Sequence, residues 1–166
     1  MLIRRIQFND AKQFLRLRLQ LDEETQFMLF EPGERSIDIE EQRHQIEQVL
    51  LSENQMIFVA EHEGQLVGYL GASSGYARRI RHCVEIVIGI LEAFTGQGIG
   101  SQLFIVMEKW TREKQLHRLE LTVMTHNAAG IALYKKRGFT IEGVRQRAMV
   151  VNDRYVDEYY MAKLLE

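Results

Sequence analysis

The sequence predicts an α/β protein: one mixed (α+β) sheet with helices packed on its faces, forming a single domain over residues 1–166. Three observations lead there. Short β-branched or alternating runs, such as Val84 to Ile90 and Arg118 to Met124, have strand length and strand composition. Longer segments repeat apolar residues at spacings of three and four, as Ile99, Leu103, Met107 and Trp110 do. The two kinds of segment follow one another as β-α-α-β-β-β-α-β-α-β-β, with no Pro/Ser-rich linker, internal repeat or low-complexity stretch between them.

Leu2–Phe8 alternates weakly and reads as the first strand. Asn9-Asp10 is placed to cap a helix carrying Phe14, Leu17 and Leu21 on one face. The pattern breaks at Gln26, and Pro32-Gly33, with the chain's only proline, marks a loop. Asp38 to Glu41 fits a capping box that opens a second helix with Ile39, Ile46, Val49 and Leu50 as its apolar face. Met56–Glu61 and Leu66–Ala72, turned at Glu63-Gly64, pair as a hairpin. A third strand, His82–Leu91, runs into Gly96-Gln97-Gly98-Ile99-Gly100-Ser101 and an amphipathic helix. Arg118–Met124 is a strand. Asn127 caps a short helix that ends at Gly138, and Phe139–Val151 and Tyr155–Leu165 are two long strands joined at Asn152-Asp153.

A chain of 166 residues can bury about two thirds of its unfolded surface. With 46% hydrophobic and 27% charged residues, its composition is that of an ordinary soluble protein. A net charge of −2 argues against a nucleic-acid binder, and Arg78 to Arg81 reads as a solvated connection. The only cysteine, Cys83, excludes an intrachain disulfide and a cysteine-based zinc site, and reads as a small buried apolar residue. No apolar run approaches the roughly 20 residues of a membrane span, and no signal-peptide pattern follows Met1. These features predict a cytoplasmic protein with no membrane partner and no metal.

The strand, glycine-rich turn and helix start around residues 83–104 are an arrangement that can hold a phosphate. Glycines let a ligand approach the backbone, and unpaired amides at the helix N-terminus point at the anion. Two better-known phosphate motifs fail on spacing. Counting G-x-G-x-x-G from Gly96 or Gly98 puts no glycine at the third place, and no Lys-Ser or Lys-Thr follows Gly100.

Two segments together carry a resemblance. Glu85-Ile-Val-Ile-Gly-Ile-Leu-Glu-Ala-Phe-Thr-Gly-Gln-Gly-Ile-Gly-Ser-Gln-Leu resembles the acyl-CoA-binding motif of the GNAT family of N-acetyltransferases, and Asn127-Ala-Ala-Gly-Ile-Ala-Leu-Tyr-Lys-Lys-Arg-Gly-Phe139 resembles its second signature. The chain departs from the family at Thr95, where Arg or Gln is usual, and at Glu92, often Pro. The resemblance implies a central mixed sheet of about seven strands flanked by about four helices. It implies acetyl-CoA as acyl-donor cosubstrate and acetyl transfer to a primary amine, of a small molecule or of a protein or peptide.

It also implies roles for particular residues. The pyrophosphate would lie on the amides of Gly96, Gln97, Gly98, Ile99, Gly100 and Ser101, beside Thr95. The pantetheine arm would pair with the edge Ile88-Gly89-Ile90, where an N–H near Ile88 or Ile90 polarises the thioester carbonyl. Tyr134, two helical turns after Asn127, would be general acid to the leaving sulfur, with Asn127 close to the cofactor. An ammonium acceptor must lose a proton before it attacks, and Glu85 is the best-placed carboxylate for this, with Glu120 next. The acceptor would lie between the Gln26–Ser36 loop and the last hairpin, where Glu23, Glu24, Phe27, Phe30 and Glu31 and then Asp157, Glu158, Tyr159 and Tyr160 occur. A non-catalytic acyl-CoA-binding module is the alternative, and the presence of Tyr134 weighs against it. By analogy, the last strands are a surface for self-association into a homodimer.

Overall fold

The structure, a computed structural model, describes all residues from Met1 to Glu166. Seven strands form one sheet in the order β1-β2-β3-β4-β5-β7-β6. They are β1 (Leu2–Arg5), β2 (Gln55–His62), β3 (Gln65–Ser74), β4 (Cys83–Ile90), β5 (Arg118–Met124), β6 (Thr140–Val151) and β7 (Arg154–Leu164). The four helices are α1 (Ala11–Glu24), α2 (Ile39–Leu51), α3 (Ile99–Glu113) and α4 (Ala128–Lys136). The predicted order of elements is the observed one.

Neighbouring strands pair antiparallel except β4 and β5, which are parallel because α3 carries the chain from one end of the sheet back to the other. The β2–β3 turn is Glu63-Gly64 and the β6–β7 turn is Asn152-Asp153, each with positive φ at both residues. That is the twist a two-residue hairpin needs. One core runs through the sheet from face to face. Phe14, Leu17 and Leu21 of α1 enter it from one side, and Ile99, Leu103, Met107 and Trp110 of α3 from the other.

Details differ from the sequence expectations, each for a local reason. The first strand stops at Arg5, and Phe8–Asp10 forms a short 3-10 turn. Asp10 does not cap α1 with its side chain. Its carboxylate instead accepts from the Gln7 amide at 2.7 Å and from Arg4 at 2.8 Å, tying the turn to β1. Asp38 caps α2 by accepting from the Glu41 amide, but the reciprocal half of the capping box is missing. The buried face of α2 is Gln42, Ile46 and Val49, whereas Ile39 and Leu50 are exposed. Cys83 opens β4 half-buried rather than buried, with Sγ 3.5 Å from His82 Nε2. No helix is long and apolar enough to cross a membrane.

Candidate active site

The sheet is interrupted at its only parallel junction. β4 and β5 share three register pairs, Cys83 with Arg118, Val84 with Leu119 and Glu85 with Glu120, and no more. Beyond Glu85 the strands separate, while β4 stays paired to β3 and β5 to β7 along their whole lengths. The Leu91 amide donates to Val67 O at 2.9 Å, and Cys83 O accepts from the Gly75 amide at 3.0 Å. Antiparallel partners alternate, so the odd residues of β4 bond to β3, and Ile88 and Ile90 turn their N–H and C=O groups into the opening. A free strand edge of this kind can receive an extended, amide-bearing ligand.

Gly89 faces the other way. A Cβ there would stand 2.8 Å from Leu21 Cδ1 and 3.4 Å from Met28 Sδ, so its bare Cα is what lets α1 and the following loop lie on the strand.

At the end of β4, Glu92–Phe94 makes a 3-10 turn and the glycine turn leads into α3. Gly98 is the N-cap in a left-handed conformation (φ 80°), which favours glycine. The cap has no side-chain hydrogen bond, and the first intrahelical bond is Gln102 N to Gly98 O at 3.1 Å. The amides of Ile99, Gly100 and Ser101 are therefore free, with the dipole of a long helix behind them. A Cβ at Gly96 or Gly98 would meet nothing within 4 Å, so the space before these amides is open. The Thr95 hydroxyl donates to Glu92 O at 2.8 Å and Gln97 Nε2 to Ala93 O at 3.2 Å, so both side chains brace the turn. What holds an anion here is backbone.

Asn127 is the N-cap of α4, accepting from the Gly130 amide at 3.0 Å. That cap sets the helix so that Tyr134 points inward, its ring packed edge-on to Phe104 at 5.9 Å and tilted against Phe139 at 6.1 Å. The ring is buried. The hydroxyl bonds to nothing in the chain yet is not sealed from water. Burial pushes the phenol up to about 12, so it stays protonated at neutral pH.

Glu85 and Glu120 lie side by side in register and line a cavity of about 400 Å³ with Arg118, Thr122, Glu142 and Tyr160. Arg118 bonds Glu120 at 2.7 Å and also Glu142, whereas Glu85 forms no ion pair and is exposed. Of the two, Glu85 is the unengaged carboxylate.

The predicted acceptor residues divide. Glu24 accepts from the Glu92 amide at 2.9 Å, Asp157 from the Arg147 amide at 2.8 Å, and Glu158 from Arg145 at 3.0 Å, so these three carboxylates hold structure. The Gln26–Ser36 loop reaches across the opening, where the Phe27 ring lies tilted against His126 at 5.1 Å. Sequence reasoning missed His126, which carries no motif, and Arg18, Arg35 and Tyr69, which surround the same face under α1.

Known proteins share this fold. The chain matches the profile of the Acetyltransferase (GNAT) family over residues 18–139. A solved acetyltransferase of the GNAT family from Streptococcus pneumoniae superposes with a TM-score of 0.94 at 29% identity, covering 99% of each chain. The structure of yncA from Salmonella typhimurium, solved with acetyl-CoA, shares the fold at a TM-score of 0.88 and 22% identity, over 100% of this chain and 94% of that one. The L-amino acid N-acetyltransferase AaaT of Escherichia coli (strain K12) is 36% identical over 106 residues, which are 61% of this chain. Those residues span 64% of the length of that relative. With a family profile matching most of its length on a sheet interrupted at this junction, the chain belongs to the acetyltransferase (GNAT) family.

Proposed function

We propose that the protein transfers an acetyl group from acetyl-CoA to a primary amine, by direct attack while both are bound. The observation that carries this reading is the opening between β4 and β5, with an uncapped helix N-terminus at one end and the Tyr134 hydroxyl unpaired. The residues present fit the donor. The free amides of Ile99, Gly100 and Ser101 suit a pyrophosphate, with open space before Gly96 and Gly98. The turned-out amides of Ile88 and Ile90 suit the peptide-like arm.

Acetyl-CoA, when bound there, supplies a thioester whose carbonyl carbon can accept an amine and whose sulfur can leave. The chain's own groups then have three tasks. The N–H of Ile88 or Ile90 donates to the carbonyl oxygen as negative charge develops on it. Glu85, directly or through a water, takes a proton from the ammonium so that the nitrogen has a lone pair with which to form the C–N bond. Tyr134 holds its proton toward the sulfur as the C–S bond breaks. The nitrogen loses two protons in all, one of which ends on sulfur and one in solvent. Tyr134 also weighs against a binding module without catalysis, which has no use for an unpaired phenol.

Two measurements test the reading. At 100 times its dissociation constant, acetyl-CoA should stabilise the fold by about 2.7 kcal/mol. Thiol release against a panel of amines should identify acceptors, and Tyr134→Phe should lower kcat by about 100-fold with little change in acetyl-CoA affinity. Absence of a thermal shift at millimolar acetyl-CoA sinks the proposal, and unchanged turnover removes Tyr134 from it.

A further inference from the structure

The sheet face under α1 and α2 carries a cation that the fold neutralises only in part. Arg18 leaves α1 toward α2, and its Nη1 donates to the side-chain oxygens of Gln42 at 2.9 Å and Gln45 at 3.1 Å. Both acceptors are uncharged. The carboxylate one turn along α1, Asp22, is already held by Arg35 through bonds of 2.7 and 3.1 Å, and both side chains of that pair are at most 6% exposed. The charged groups at this spot are two guanidinium groups and one carboxylate. Burial, and then the charge of Arg35, pulls the Arg18 guanidinium below its ordinary value.

Tyr69 on β3 supplies a second unmet donor. Its ring stands edge-on to Phe14 at 5.2 Å and lies against Gly89, where a Cβ would be 3.3 Å from Tyr69 Cε1. The residue is only 7% exposed, yet its hydroxyl bonds nothing within the chain and keeps contact with water. One step along the same face, a Cβ at Gly71 would have nothing within 4 Å, and its β4 partner Val87 is exposed. The surface of β3 and β4 is therefore open two residues along from Tyr69.

Two guanidinium groups beside one carboxylate leave positive charge in a half-buried place, and the Tyr69 hydroxyl has a proton to give there. One ligand group resolves both: a carboxylate accepts from the free guanidinium nitrogens and from the phenol together. We propose that Arg18 and Tyr69, flanked by Arg35, form a carboxylate subsite and that the acceptor is a free α-amino acid. A protein N-terminus has an uncharged peptide carbonyl at that place, and a polyamine or lysine side chain has nothing there. This inference rests on the acetyl-transfer reading above.

The test offers the common L-amino acids and their carboxamides to wild type, Arg18→Gln and Tyr69→Phe. Wild type should prefer the free acid by about 10- to 100-fold in kcat/KM, the size expected of a set of charge-assisted hydrogen bonds. Arg18→Gln should bring that ratio toward unity, chiefly through KM. Tyr69→Phe, which keeps the ring against Phe14, should lower it several-fold. An intact acetyl-CoA thermal shift in each variant shows that fold and donor site survive. A wild-type ratio near unity overturns the proposal, as does equal loss on both acceptor types in Arg18→Gln. Failure of the enzyme reading looks different, because no amine is then acetylated at all. In that event binding decides: stabilisation by L-amino acids but not carboxamides, lost in Arg18→Gln, upholds the subsite, and its absence overturns it.

Discussion

Tyr134, proposed above as the general acid, is also a packing residue. Its ring completes an aromatic cluster with Phe104 and Phe139, and the same burial raises the phenol to about 12. In the unfolded chain the group ionises near its ordinary value of 10.0. The raised folded value means that its stabilisation is complete below pH 10 and is lost as the pH climbs from there toward 12. The loss for this one group is about 3 kcal/mol at most. Tyr134→Phe cannot ionise, so its stability should decline less over that window than that of wild type. Urea midpoints of the two proteins from pH 8 to pH 11 check this, and parallel curves would falsify the burial argument. Tyr134 was legible in the sequence because its partners, Asn127 and Phe139, lie within one short motif. Arg18 was not, because an arginine between two leucines on an amphipathic helix reads as a solvated side chain until α2 is folded beside it.

Helix α2 shows why periodicity alone missed that site. Its apolar residues placed Ile39 and Leu50 on the inner face, but the helix buries Gln42, Ile46 and Val49 instead. A buried glutamine is explained only by the arginine it receives from α1, and that pairing crosses a loop that no local pattern encodes. The glycine turn is the opposite case, since its consequence is local and can be tested by one methyl group. Gly98→Ala forces a left-handed alanine, costing roughly 1–2 kcal/mol, but meets no neighbour. It should therefore fold, with weakened acetyl-CoA binding because the methyl occupies the space before the α3 amides. Gly89→Ala has ordinary backbone angles but brings a methyl to 2.8 Å from Leu21 Cδ1 and 3.3 Å from Tyr69 Cε1. Overpacking of that kind costs about 1–3 kcal/mol and should disturb the acceptor side more than the donor side. Denaturation midpoints with titrations of acetyl-CoA and of acceptor separate the two, and equal effects on both ligands in both variants would count against this division of the site.

Across the whole molecule, sheet order and element sequence were readable because strand runs and helix runs differ in period and each is bounded by its own turn residues. The early separation of β4 from β5 was not readable, since nothing in either strand marks where a parallel partner stops. That separation also orders assembly. The β2–β3, β3–β4 and β6–β7 pairings join strands that are neighbours in the chain, whereas β4 meets β5 only after α3 has been threaded between them, and through three register pairs. Closing that loop for three register pairs is less favourable than forming either hairpin. Pulse-labelled hydrogen exchange during refolding should therefore protect the β2–β3 and β6–β7 amides before those around Glu85 and Glu120. Simultaneous protection would contradict it. Chemistry would then come only after the hairpins, since a partly folded molecule that has them has no place where a donor and an acceptor can meet.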